Sequence, residues 1–237
     1  MGFHLAGFDV YGVDIAPQKH YPFAFHLGDV LEVLAILNAG GAVDFTHRDG
    51  TVEWLTLTDF SAAHGSPPCQ ENTRAKSLRG AQGKSLKQYG GNMIPETRIA
   101  LDLTGLPYVM ENVEGSDLVN TVLLCGSMFP ELRVTDSTGI RWLQRHRLFE
   151  SNVWLMAPGS CSHRSAGVRP LGVYYKLGDN VPQGGQTART LVEASALMGI
   201  DWLPFSRLKE AIPPAYTEFI GAQLLEHVTN PNMKGAA

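Results

Sequence analysis

Cysteine is scarce: three stand in 237 residues, at positions 69, 125 and 161. Thiols so widely spaced do not make the disulfide framework of a small secreted domain, and they point to a reducing compartment. Long apolar runs are missing as well. No stretch reaches the roughly 18 apolar residues that a membrane-spanning helix needs. The N-terminus lacks the basic-then-apolar pattern of a secretion leader, so a cytoplasmic location is expected. A basic surplus is also lacking, with 19 Lys and Arg against 23 Asp and Glu and a net charge of −4. That removes the easiest sign of nucleic-acid binding. It does not exclude the function, because only the local field over a cleft steers a polyanion. No internal repeat or low-complexity tract occurs. What is present is a chain with 44% apolar residues, long enough for one ordinary core and a small appendage.

Charge is unevenly placed along this mostly acidic chain. Arg74, Lys76, Arg79, Lys84 and Lys87 face a single nearby acid, Glu71, and Gly80, Gly83, Gly90 and Gly91 are interspersed. The stretch reads as a glycine-rich, electropositive loop over 71–94. Around it, short apolar runs alternate with helical patterns, which predicts a parallel sheet with crossover helices. Strands are predicted over 8–15, 23–27, 60–64 and 108–110, with further candidates at 122–124 and 148–150. A hairpin is predicted from 43–46 and 52–57, turned by Arg48-Asp49-Gly50. Helices are predicted over 29–37, from Pro95 to Leu103 with Gly105 as the stop, over 190–198 and over 216–227. Past about residue 151 the periodicity fades into Ser, Gly, Pro and Arg as far as Gln186, and the last ten residues read as frayed.

The residues with chemical potential fall just after predicted strands: Asp14, Asp29, Cys69 and Glu111. In open parallel sheets, ligands sit outside the carboxyl ends of the strands, so these four groups are expected to converge on one crevice. Each also has a plainer reading. Asp14 and Asp29 could cap loops, Cys69 could be a buried structural thiol, Glu111 on its own could be a surface acid, and Arg145 and Arg147 could form a solvated edge. Cys161-Ser162-His163 offers two potential metal donors without a second pair, so no metal site is expected.

Three tripeptides, in order, carry a resemblance: Pro68-Cys69-Gln70, Glu111-Asn112-Val113 and Arg145-His146-Arg147. They resemble the catalytic motifs of the DNA (cytosine-5) methyltransferases of small phage or bacterial type. Gly12-Val13-Asp14-Ile15 and Gly28-Asp29-Val30 are similar to that family's cofactor-binding motifs. The resemblance covers roughly residues 1–150 and, less clearly, 188–228. It implies an α/β, doubly wound, Rossmann-like methyltransferase fold dependent on S-adenosylmethionine, with a small target-recognition segment. The implied division is a catalytic domain over 1–150, a recognition region over 151–187, and C-terminal helices over 188–237 that pack back on the catalytic domain.

The resemblance also implies roles. Cys69 is the nucleophile that adds to cytosine C6, since cysteine is the most nucleophilic side chain near neutral pH. Glu111, kept protonated by a desolvated pocket, hydrogen-bonds cytosine N3. Arg145 and Arg147 hold the O2 edge of the base, and Arg147 orients Glu111. Asp14, Ile15, Asp29, Val30 and Pro68 contact the cofactor, with Asp14 on the ribose hydroxyls and Asp29 on the adenine amino group. Gln70, Arg74, Lys76, Arg79, Lys84 and Lys87 contact double-stranded DNA, from which the target cytosine must be flipped. Action as a monomer, in the host cytoplasm if phage-encoded, is the expectation.

The chain also departs from the family. Met1-Gly2-Phe3-His4-Leu5-Ala6-Gly7-Phe8 is similar to the helix that follows the family's Phe-x-Gly-x-Gly loop, so a start further upstream is expected. Asn72 and Thr73 replace the usual residues after the cysteine, and Glu210-Ala211-Ile212-Pro213-Pro214 stands where the family has Gly-Asn-Ser/Ala. Three rival readings remain: a truncated, inactive homologue that binds DNA, an RNA cytosine-5 methyltransferase, and a thiol hydrolase built on Cys69 and His64.

Overall fold

The computed structural model describes residues 1–68, 92–162, 170–180 and 186–230. The chain is mixed α/β and divides into two compact units that interleave along the sequence. One comprises Phe8–Val122, Leu148–Leu155 and Gln223–Ala237. The other comprises Met1–Gly7, Leu123–Arg147 and Met156–Ala222.

The first unit starts with strand β1 (Tyr11–Asp14), which pairs in parallel with β2 (Ala24–Leu27), Asp14 opposite Leu27. The strand predicted from Phe8 forms only from Tyr11. Helix α2 (Val30–Asn38) follows, and the hairpin β3 (Ala42–Thr46) and β4 (Val52–Thr56) completes a sheet of order β1-β2-β3-β4. The hairpin turn is the expected one. Gly50 takes φ +88°, and the Asp49 carboxylate accepts from the Thr51 N–H at 2.9 Å. Because β3 runs antiparallel to both its neighbours, the sheet is mixed rather than all parallel.

A second sheet contains β5 (Ala63–Gly65), β6 (Tyr108–Asn112) and β10 (Arg147–Ser151) as consecutive strands, and the candidate at 122–124 forms the short strand β7 (Val122–Leu124). β5 and β6 are parallel, with Gly65 opposite Met110. β10 runs antiparallel to β6, with Phe149 opposite Glu111. The strand expected from Phe60 begins later, because Thr56 and Asp59 close a reciprocal capping box around a short 3-10 turn, Leu57–Asp59.

Helix α2 forms because its apolar residues recur at helical spacing and Asp29 caps it, accepting from the Leu31 N–H at 2.8 Å. It serves both sheets. Val33 and Leu37 join Ala24, Val43, Phe45 and Leu55 in one core cluster, while Leu34 joins Ile94, Leu101, Tyr108 and Met110 in another. Helix α3 (Ile94–Thr104) matches the expected span to within a residue at each end, with Pro95 in its first turn and Gly105 ending it at φ +67°. β6 is buried along its whole length. Beside it, Glu150 of β10 accepts from Arg98 Nε at 2.5 Å, Arg98 Nη2 at 2.8 Å and the Val119 N–H at 2.7 Å.

The other unit holds helix α1 (Gly2–Leu5) and a hairpin, β8 (Arg133–Asp136) with β9 (Gly139–Trp142). A short parallel pair, β11 (Leu171–Gly172) and β12 (Gln186–Thr187), follows, and then helices α4 (Leu191–Met198) and α5 (Phe205–Leu208). Helix α6 (Pro214–Thr229) begins in this unit. Thr190 caps α4 by accepting from the Glu193 N–H, and Gly199 ends it at φ +64°. Gly2 lies so close to the Pro214 carbonyl and Thr217 that a Cβ there would collide, which is how α1 seats on the start of α6. No helix among the described residues is long and apolar enough to cross a membrane.

Candidate active site

Two pairs of strand ends carry the expected residues of the first unit. The first pair is β1 and β2. Asp14 is the last residue of β1, and its carbonyl accepts from the Gly28 N–H at 3.1 Å, which brings the segment before α2 to the end of β1. Asp14 and Asp29 therefore occupy the same carboxyl edge of a parallel pair. Both carboxylates cap backbone. Asp14 accepts from the Ala16 N–H and from Gln18 Nε2, each at 2.8 Å, and Asp29 holds the start of α2. Ile15 is 60% exposed beside Asp14, an apolar surface at the strand end, whereas Val30 packs against the core beneath α2.

The second pair is β5 and β6. The chain leaves β5 through Ser66-Pro67-Pro68 and leaves β6 through Asn112-Val113. Two side-chain hydrogen bonds tie these exits together. Ser66 Oγ donates to Glu111 Oε2 at 2.7 Å, and Asn112 Nδ2 donates to the Pro67 carbonyl at 2.9 Å. Asn112 Oδ1 in turn accepts from the Val113 N–H at 2.9 Å. Glu111 is 4% exposed and Asn112 is 2% exposed. A carboxyl group is thus held at the mouth of a buried strand by a hydroxyl from the neighbouring strand end, and an amide locks the two prolines in place. The sequence motifs include Glu111 and Pro68, and Ser66 stands just outside them. Its signal was available, as a serine at the exit of the same strand that delivers residue 69.

Cys69, Gln70, Arg74, Lys76, Arg79, Lys84 and Lys87 lie outside the described residues.

Arg145 and Arg147 belong by position to the other unit. Arg147 is the first residue of β10, 7% exposed, and its Nη1 donates to the His146 carbonyl at 2.8 Å. Arg145 has partners of a different kind from the base edge expected of it. It is fully buried, with Nη2 donating to the Lys209 carbonyl at 2.9 Å and the Ala211 carbonyl at 2.6 Å, and Nη1 reaching the Val173 carbonyl at 3.5 Å. Its guanidinium lies 5.1 Å from the centre of the Tyr174 ring. Its own carbonyl accepts from the Tyr216 hydroxyl at 2.6 Å, and Tyr216 stacks on Phe129. The departure at residues 210–214 falls beside this arrangement, since Ala211 supplies one of the carbonyls.

No protein-family model matches the chain, and no curated protein matches it in sequence.

Proposed function

We propose that the protein is a DNA (cytosine-5) methyltransferase that uses S-adenosylmethionine, with Cys69 as nucleophile and Glu111 as the group that engages the base. The observation that carries the reading is the coupling of the β5 and β6 exits by the Ser66–Glu111 and Asn112–Pro67 hydrogen bonds. It brings the backbone that leads into the Pro-Cys-Gln motif beside the buried carboxyl of the Glu-Asn-Val motif. Cytosine C5 is a poor nucleophile. Addition of the Cys69 thiolate to C6 turns C5 into an enamine carbon. Glu111 in its protonated form hydrogen-bonds N3 and stabilises the charge that develops there. S-adenosylmethionine, when bound, supplies the methyl group. Loss of the C5 proton and expulsion of the thiolate then restore the ring. Arg147, at the head of β10, is assigned to the base edge. Arg145 is assigned to holding its own segment in place.

The edge formed by Asp14, Ile15 and Asp29 fits a nucleoside, with carboxylates for ribose and adenine beside an apolar face. Asp14→Ala is expected to raise KM for S-adenosylmethionine about tenfold with kcat held within about twofold, as loss of a ground-state contact does. An unchanged KM in steady-state kinetics would leave Asp14 as a turn residue serving Ala16 and Gln18. Ser66→Ala is expected to lower kcat about tenfold by freeing the Glu111 carboxyl, with a melting temperature close to that of the parent. An equal kcat would remove Ser66 from the site.

A second reading, a DNA-binding homologue without activity, is favoured by one observation. Among the described residues, β1 and β5 are each the outermost strand of their sheet, and each runs parallel to its inner neighbour. The resemblance would place a further parallel strand, with the Phe-x-Gly-x-Gly loop, between these two edges. One experiment separates the readings. The 237-residue chain and the same chain extended upstream in frame are incubated with S-adenosylmethionine and mixed-sequence duplex DNA containing 5-fluorocytosine. Fluorine at C5 blocks the final elimination, so an active enzyme is trapped as a denaturant-stable adduct. An adduct lost on Cys69→Ala supports methyl transfer. Tight DNA binding without an adduct from either chain supports the inactive reading. An adduct on RNA alone would move the substrate class.

A further inference from the structure

Cys125, His146 and Cys161 are far apart in the sequence, yet their donor atoms all lie within 4.8 Å of one another, and all three residues belong to one unit. Cys125 precedes the 3-10 turn Gly126–Met128 and is fully buried. His146 is half-buried between Arg145 and Arg147, and Cys161 is exposed. His146 Nε2 stands 3.3 Å from Cys161 Sγ. Ser127 organises the rest. Its Oγ lies 3.4 Å from Cys125 Sγ and 3.9 Å from Cys161 Sγ, and it accepts from the Ser162 N–H at 3.0 Å. Both cysteines are thiols.

We infer that these three side chains form a site for a zinc-class divalent cation. Two thiolates and an imidazole are a soft donor set, which selects zinc over the oxygen-seeking cations. Around a tetrahedral ion with Zn–S near 2.3 Å and Zn–N near 2.0–2.1 Å, neighbouring donors stand about 3.6–3.8 Å apart. The His146–Cys161 separation of 3.3 Å falls just short of that spacing and the others stay within 4.8 Å, so small side-chain adjustments close the site. The fourth position remains for water or another donor. A disulfide between Cys125 and Cys161 is the competing use of the two sulfurs. It gives no role to the imidazole held against Cys161, and the presence of that imidazole favours the metal.

The ion would fasten the segment around Cys161 to the segment that carries Arg145 and Arg147. The sequence offered Cys161 and His163 as a bare pair. Folding supplies Cys125 and His146 instead, while His163 lies outside the described residues. The site stands whether or not the protein transfers methyl groups.

The test uses the full chain, purified under reducing conditions, with zinc measured by elemental mass spectrometry after reconstitution and gel filtration. About one zinc per chain is expected, falling about tenfold in Cys161→Ser. Because Cys161 is exposed, that variant is expected to keep the fold, which circular dichroism verifies. His146→Gln should lower the affinity as well. In the cobalt-loaded protein a thiolate-to-cobalt charge-transfer band is expected that survives Cys69→Ser and is lost in Cys161→Ser. Zinc content unchanged in Cys161→Ser, a cobalt band lost with Cys69, or no bound metal would overturn the site. A Cys125–Cys161 disulfide found by peptide mapping of protein alkylated at lysis would overturn it in favour of redox chemistry.

Discussion

Arg145→Met is expected to lower the melting temperature of the protein by about 10 °C. The guanidinium is fully buried and donates to the carbonyls of Lys209 and Ala211, so its removal leaves two part-buried acceptors without it. Each stranded acceptor costs about 1–3 kcal/mol, and in a chain of this size each kcal/mol shifts the transition by about 2–4 °C. Methionine occupies much of the aliphatic volume, so the loss reports on hydrogen bonding more than on a cavity. Arg145→Lys should recover only part of it, because an ammonium lacks the planar fork that spans several carbonyls. Differential scanning calorimetry reads the result. A shift under about 2 °C would mean that the carbonyl cage does not hold this unit together.

Glu111→Gln is expected to slow methyl transfer by about 10²–10⁴-fold, the usual cost of losing a positioned acid. The glutamine keeps the size of the side chain and can still accept from Ser66 Oγ, which donates to Glu111 at 2.7 Å. The fold and the DNA affinity should therefore persist, and the loss should fall on kcat measured with tritiated S-adenosylmethionine. What glutamine lacks is the acidic proton proposed to meet N3. Retention of more than about a tenth of the parent rate would take Glu111 out of the chemistry. The combination with Ser66→Ala should be less than additive, because the hydroxyl acts through the carboxyl.

Local patterns carried the first unit well. The β3–β4 hairpin is legible from Arg48-Asp49-Gly50, α2 from its apolar spacing behind Asp29, and the end of α3 from Gly105. Phe60 misled because a capping box is a reciprocal side-chain arrangement, and alternation does not reveal that Asp59 folds back to Thr56. The β8–β9 hairpin is hard to read from the sequence although Asp136-Ser137-Thr138-Gly139 is good turn chemistry. Its strands are short and alternate Arg133 and Arg141 with apolar residues, so no apolar run marks them. Burial of arginines is equally opaque. Nothing in Arg145-His146-Arg147 says which guanidinium will be caged by carbonyls contributed from residues 209 and 211. At the site, Asp14, Asp29 and Glu111 were legible as strand-end acids. The partnership of Ser66 with Glu111 depends on β5 and β6 being neighbours, which is a property of the sheet.

The interleaving of the units has a consequence for inheritance. The chain passes between them after Gly7, Val122, Arg147, Leu155 and Ala222, so neither is encoded as a continuous block. Any single crossover in the gene between these points trades pieces of both at once. A recombinant that imports a relative's 151–187 region would keep Cys125, Arg145 and His146 but replace Cys161 and Val173, which meet them in the fold. A cassette exchange therefore alters contacts made with residues outside the cassette, whereas a substitution in place leaves those partners as they are.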